Sequence, residues 1–168
     1  MGDAEGIAEP LVMDDLPLPE ELDNIIHIRV IGKPQDIVIG HSRLGKTALW
    51  CAAQDERFAA VISNNSGYGG AASSKRGGGE RITDFIKLGS YDWFCENFKA
   101  FANEKEDEKP YDQSCLLSLI APRLLLVGSA ELDNGADPRS EFLTTLHSSM
   151  AWNLLGKEGL ITPDELPS

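Results

Sequence analysis

The stretch DIVIGHSRLGKTALW, residues 36–50, can be read in two incompatible ways. Gly40, Gly45, Lys46 and Thr47 satisfy the phosphate-loop spacing G-x-x-x-x-G-K-[ST], with the apolar run Ile37, Val38, Ile39 as the strand that leads into such a loop. Gly40, Ser42 and Gly45 also lie one residue away from the G-x-S-x-G turn, which holds a serine at a sharp strand-to-helix corner. The first reading makes a nucleotide-binding protein, the second an ester hydrolase. Both predict a strand over 37–39 and a helix over about 44–54.

Outward from that loop, FAAVIS (58–63) supplies a second apolar strand, and a strand–helix–strand unit of this length implies a parallel sheet. NNSGYGGAASSKRGGGER (64–81) is dense in glycine and serine and reads as a long loop at the end of that strand, where α/β proteins place their chemistry. The segment 82–101 predicts helix, with Phe85, Tyr91, Trp93, Phe94, Phe98 and Phe101 expected to pack against the sheet. NEKEDEK (103–109) reads as a solvated turn or helix end. A short helix, a break at Pro122 and a third strand over 124–127 follow. A last helix over 138–156 closes on Gly156. Residues 1–35 are acidic and rich in proline and read as a poorly ordered lead-in, in which only NIIHIRVI (24–31) offers a strand. The fold class is therefore α/β, with the folded domain over 36–168.

With 168 residues the chain is long enough for one domain with a real core. Its 27 Asp and Glu against 15 Lys and Arg give a formal charge of -12, which disfavours nucleic acid and anionic membrane surfaces as partners. No apolar run reaches the ~18 residues of a membrane span, and the acidic start is unlike a secretion signal. Cys51, Cys95 and Cys115 are widely spaced, which predicts buried free thiols and no disulfide framework. His27, His41 and His147 have no metal-ligand spacing, so neither a metal nor a cofactor is expected.

A phosphate loop favours small side chains where this chain has His41, Arg43 and Leu44, and it needs a second strand that ends in an acid to hold magnesium. FAAVIS ends in Ser63, Asn64 and Asn65, and RLLLVGS in Gly128 and Ser129. An esterase needs a serine at the turn, an acid after a later strand, oxyanion donors and a histidine. Ser42 meets the first requirement, and Glu131, Asp133 and Asp137 in SAELDNGADP (129–138) offer the second.

Four blocks in order, GHSRLGK (40–46), DERFAAVISNNSGYGGAA (55–72), WFCENF (93–98) and LLSLIAPRLLLVGSAELDNGADPRSEF (116–142), resemble the glucuronoyl esterases and their bacterial relatives, some of which are called acetylxylan esterases. The resemblance runs from Asp36 to about Gly159 and decides for the ester. It implies a partial α/β-hydrolase fold, a mostly parallel sheet with flanking helices, and a serine carboxylester hydrolase acting on glucuronate or related cell-wall carbohydrate esters of glucuronoxylan type. By position, Ser42 is the nucleophile, Arg43 stabilises the oxyanion through its backbone N–H and guanidinium, and Lys46 binds the sugar ring.

The departures from the family pattern are specific. Asn65 stands where fungal members carry their acid, so the acid role moves to Asp133 first and Glu131 second. Gly135 replaces a frequent tryptophan and Ser114 a frequent histidine. The family's base lies in a G-x-H block past the last helix, and GLITPDELPS (159–168) contains none. His147, His41 and His27 are weak substitutes, and without a base a serine hydroxyl is a poor nucleophile. The expectation is a chain truncated at both ends, impaired in catalysis when alone and prone to self-association through unpaired sheet edges. The alternatives are a non-catalytic hydrolase remnant and, less favoured, a phosphate-loop nucleotide binder. Relatives are mostly secreted or periplasmic, whereas this chain shows no signal peptide.

Overall fold

The computed structural model describes the backbone of residues 25–29 and the whole of residues 36–89, 93–102 and 105–160. Four strands form one sheet: β1 (Ile25–Arg29), β2 (Asp36–His41), β3 (Phe58–Asn64) and β4 (Leu124–Gly128), in that spatial order. β2, β3 and β4 run parallel, while β1 pairs antiparallel to the outer edge of β2. NIIHIRVI thus contributes the strand it offered, and the rest of the lead-in lies outside the described residues.

Helix α1 (Arg43–Gln54) crosses between β2 and β3 on one side of the sheet. Val38 and Val61 are paired in register, as are Val61 and Leu125, and this row packs under Ala48, Leu49 and Ala52 of α1. Leu116 and Leu117 of α3 (Gln113–Ser118), with Ile120 beyond it, complete the core. Because strand side chains alternate, the next row points the other way. Leu124 and Leu126 lie on that second side and are 75% and 55% exposed. Arg123 ties the far end together, donating to the carbonyls of Ala52, Asp55 and Phe58 and so capping the C-terminal end of α1.

Phe85, Phe94 and Phe98 join a second core and do not pack on the sheet, while Tyr91 lies outside the described residues. Tyr68, Ile82, Phe85 and Ala102 are its buried members, with Phe94 and Phe98 against them. The expected long helix is instead α2 (Ile82–Lys87) followed by a 3-10 turn, Glu96–Phe101, so the rings converge on Tyr68 of the glycine-rich loop. Within the acidic run, Glu106 and Lys109 are buried, contrary to the solvated reading. Lys109 Nζ donates to the Ser74 hydroxyl and sits over the Tyr68 and Phe98 rings, which makes it a core cation.

Two further expectations are corrected. The last helix is divided at Ser149 into α4 (Pro138–Ser148) and α5 (Met150–Leu154), and Gly156 follows with φ 72°, the left-handed conformation expected of a residue that ends a helix. All three cysteines are exposed. Cys51 and Cys115 each occupy a position adjacent to the buried residues of an amphipathic helix, Ala52 and Leu116, and so face water. Among the described residues, no helix is long and apolar enough to cross a membrane.

Candidate active site

In the parallel register His41, Asn64 and Gly128 stand side by side, so the loops after β2, β3 and β4 meet at one end of the sheet. Open α/β sheets bind ligands at the carboxyl ends of their strands. A pocket of about 140 Å³ lies there, and Ser42, Lys46, Asn65, Glu80, Trp93 and Asp133 are among its lining residues. A larger groove of about 400 Å³ lies near Pro122, Leu124 and Trp152, by the start of β4, and none of the predicted site residues reaches it.

Ser42 occupies the corner between β2 and α1 with φ 53° and ψ -122°, a backbone conformation that L-residues rarely adopt. Its N–H donates to the Asn64 carbonyl at 2.8 Å, and its own carbonyl accepts from the N–H groups of Gly45 and Lys46. The glycines that looked misplaced by one residue have a steric reason. A Cβ at Gly40 would collide with the Leu44 carbonyl, and one at Gly45 would stand 2.9 Å from the Ser66 Cβ. These close approaches let the helix turn directly off the strand, leaving the Ser42 side chain exposed. Arg43, the first residue of α1, has no intrahelical acceptor for its N–H, as is general at a helix start.

Lys46 does not extend towards solvent as a phosphate-loop lysine would. It is 9% exposed, and its ammonium donates to the Ser66 carbonyl. Burial lowers its pKa to about 8 against the opposing pull of Glu80 and Glu141. Glu141 is fully buried and accepts from the Ser66 hydroxyl at 3.1 Å, from the Gly67 N–H at 2.9 Å, and from the Ser129 hydroxyl. This carboxylate joins the loops after β3 and β4 beneath the pocket.

Of the acids offered by the loop after β4, Asp133 alone lines the pocket. Its Oδ2 accepts from the Asn65 amide at 3.1 Å and its Oδ1 from the Ala136 N–H at 3.2 Å. Glu131 is exposed and does not line the pocket, so the geometry does not bring it to Ser42. Asp137 caps α4, accepting from the Ser140 N–H at 3.0 Å and pairing with Arg76 at 3.4 Å. Glu80, Trp93 and Glu141 were not singled out in the sequence as site residues. Glu80 follows a glycine run that carries no motif of its own, and its N–H donates to the Gly135 carbonyl at 2.9 Å, which ties the two loops together.

Among the described residues no imidazole bonds to Ser42. The Asn64 amide lies 2.8 Å from His41 Nδ1, and His147 is exposed on α4. The side chain of His27 lies outside the described residues.

A strand–serine–helix corner at the carboxyl end of a parallel sheet with flanking helices is the architecture of the α/β-hydrolase fold. The profile of the fungal glucuronyl esterases matches residues 20–156, and the chain belongs to the glucuronoyl esterase family. It is 49% identical over 123 residues to carbohydrate esterase MZ0003 from an unknown prokaryotic organism, covering 73% of this chain and 28% of that protein. It is 33% identical over 134 residues to a 4-O-methyl-glucuronoyl methylesterase of Hypocrea jecorina (strain QM6a), covering 71% of this chain and 27% of the relative. Among solved structures it superimposes on a promiscuous CE15 esterase from a marine bacterial metagenome with a TM-score of 0.71 at 47% identity, over 75% of this chain and 31% of the other. The chain thus spans less than a third of the length of these relatives.

Proposed function

We propose that the site serves the hydrolysis of glucuronate esters, with Ser42 as nucleophile. The conformation of Ser42 carries this reading: a serine at φ 53° on a strand-to-helix corner, exposed beside a pocket that also contains a buried lysine and an anchored aspartate, is what a nucleophile turn requires. Ser42 Oγ adds to the ester carbonyl carbon and its proton passes to a base. Collapse of the tetrahedral adduct breaks the bond to the alcohol, which leaves with a proton. Water then cleaves the acyl–serine bond to release the uronic acid. The Arg43 N–H and guanidinium stabilise the negative charge that develops on the carbonyl oxygen. One Lys46 N–H is bound to the Ser66 carbonyl, which leaves two for the hydroxyls of the sugar ring.

Asp133 is the acid that orients and charge-stabilises an imidazole in this scheme, and Asn65 holds that acid in place. The imidazole itself is not among the side chains that the described residues bring to Ser42, and its supply from elsewhere is part of the proposal. The relative's name, 4-O-methyl-glucuronoyl methylesterase, supports a methyl or larger alkyl ester of glucuronate as the substrate class.

The test uses the purified chain, its Ser42→Ala variant, a fluorophosphonate probe and benzyl glucuronate. Labelling and turnover that vanish in the variant support the reading. A folded chain that neither labels nor binds methyl glucuronate in a thermal-shift titration overturns it.

A further inference from the structure

Arg43 and Trp93 lie fifty residues apart; Trp93 lines the pocket, and Arg43 directly follows the pocket residue Ser42. The Arg43 guanidinium carbon stands 5.1 Å from the centroid of the Trp93 ring, within the range in which a cation is attracted to an aromatic face. Trp93 is held from behind, because its ring packs 5.6 Å from Phe85, which is 2% exposed and belongs to the aromatic core. Phe85 in turn packs on Phe94 and Tyr68. The indole therefore lies between that core and the guanidinium while also lining the pocket with Ser42. Among the described residues Arg43 has no carboxylate partner.

These contacts matter because of what a guanidinium is. It cannot lose its charge, it has five N–H donors in a fixed plane, and its stem carries several free torsions. A carboxylate partner would orient it but would also neutralise it and occupy its donors. An aromatic face orients the plane while leaving the charge and the donor edge available.

We propose that Trp93 is the positioning residue for Arg43, holding the guanidinium plane at the pocket so that its donors meet the developing oxyanion without ordering at the moment of reaction. This rests on the ester-hydrolase reading. It accounts for an aromatic side chain that is 39% exposed in a polar pocket although its neighbour Phe85 is buried.

The test compares wild type, Trp93→Leu, Trp93→Phe, Arg43→Met and the Trp93→Leu/Arg43→Met double variant, each first shown to melt cooperatively. In nitrogen-15 NMR the Arg43 Nε–Hε signal of the wild type is expected to carry an upfield ring-current shift, lost in Trp93→Leu and largely kept in Trp93→Phe. With benzyl glucuronate, Trp93→Leu is expected to lower kcat about tenfold with KM little changed, Trp93→Phe to recover most of it, and Trp93→Leu to have no further effect once Arg43 is Met. An unshifted Arg43 signal, equal losses in Leu and Phe, or additive losses in the double variant overturn the proposal. A wild-type chain that neither turns over ester, labels with the probe nor binds methyl glucuronate defeats the ester reading instead, and the NMR comparison then decides alone whether Trp93 orients Arg43.

Discussion

The side-chain amide of Asn65 donates to Asp133 Oδ2 at 3.1 Å, so the residue in the fungal acid position and the acid of the later loop are direct neighbours. Asn65 Oδ1 also accepts from the Ala130 N–H at 2.6 Å, so one amide closes the space between the loops after β3 and β4. The loops after β3 and β4 thus meet through one side-chain hydrogen bond.

Asn65→Asp replaces that bond with two carboxylates in contact. Like charges at this distance raise the pKa of one member above its unfolded value. The folded variant then binds more protons than the unfolded chain, so its stability falls as pH rises through the carboxylate range. A loss of about 1–3 kcal/mol at pH 7 that shrinks towards pH 4 is expected from urea titrations, together with loss of the Ala130 contact. A pH-independent loss would show that the loops separate instead.

Lys46 gives the opposite slope. Its folded pKa of about 8 lies below the ordinary lysine value of 10.5, so the unfolded chain binds more protons between those two pH values. Stability therefore rises with pH across that window, by on the order of 3 kcal/mol if the shift is fully expressed. Lys46→Met is expected to remove the rise and to abolish the stabilisation of the chain by methyl glucuronate.

Gly40 and Gly45 are held to glycine by contacts rather than by φ. Gly40→Ala places a methyl on the Leu44 carbonyl, which is backbone and cannot move aside, and is expected to prevent folding or cost upwards of about 3 kcal/mol. Gly45→Ala meets the Ser66 Cβ at 2.9 Å and is expected to cost about 1–3 kcal/mol. Denaturant midpoints give both values.

Glu141→Ala removes the acceptor of three donors at once, those of Ser66, Gly67 and Ser129, of which the first two are buried and cannot turn to water. The expected loss is about 2–5 kcal/mol. Glu141→Gln keeps the shape but turns one acceptor into a donor, so a smaller loss is expected by thermal melting.

The β2–loop–α1 unit was legible because two glycines, a serine and an apolar run fall within ten residues, a local pattern. The parallel pairing of β2 with β3 followed from the helix between them. The fate of the aromatic residues was not legible, since their apolar character predicts that Phe85 and Phe94 pack against something but not that Tyr68 gathers them away from the sheet. Among the candidate residues, Ser42, Lys46 and Asp133 meet at one pocket. Distinguishing Asp133 from Glu131 required knowing which of two acids in one turn faces Asn65, and no spacing rule contains that information. Glu141 was hidden because a buried carboxylate inside an amphipathic helix looks in sequence like a surface residue.

The backbone at Ser42 has one more consequence. A side chain at φ 53° and ψ -122° costs about 1–3 kcal/mol relative to glycine, which is at ease there. Ser42→Gly is therefore expected to melt later than the native chain while losing the hydroxyl to which the nucleophile role is proposed. Selection for stability alone would erase this residue, so the proposed role in chemistry supplies the opposing demand that the strained turn needs.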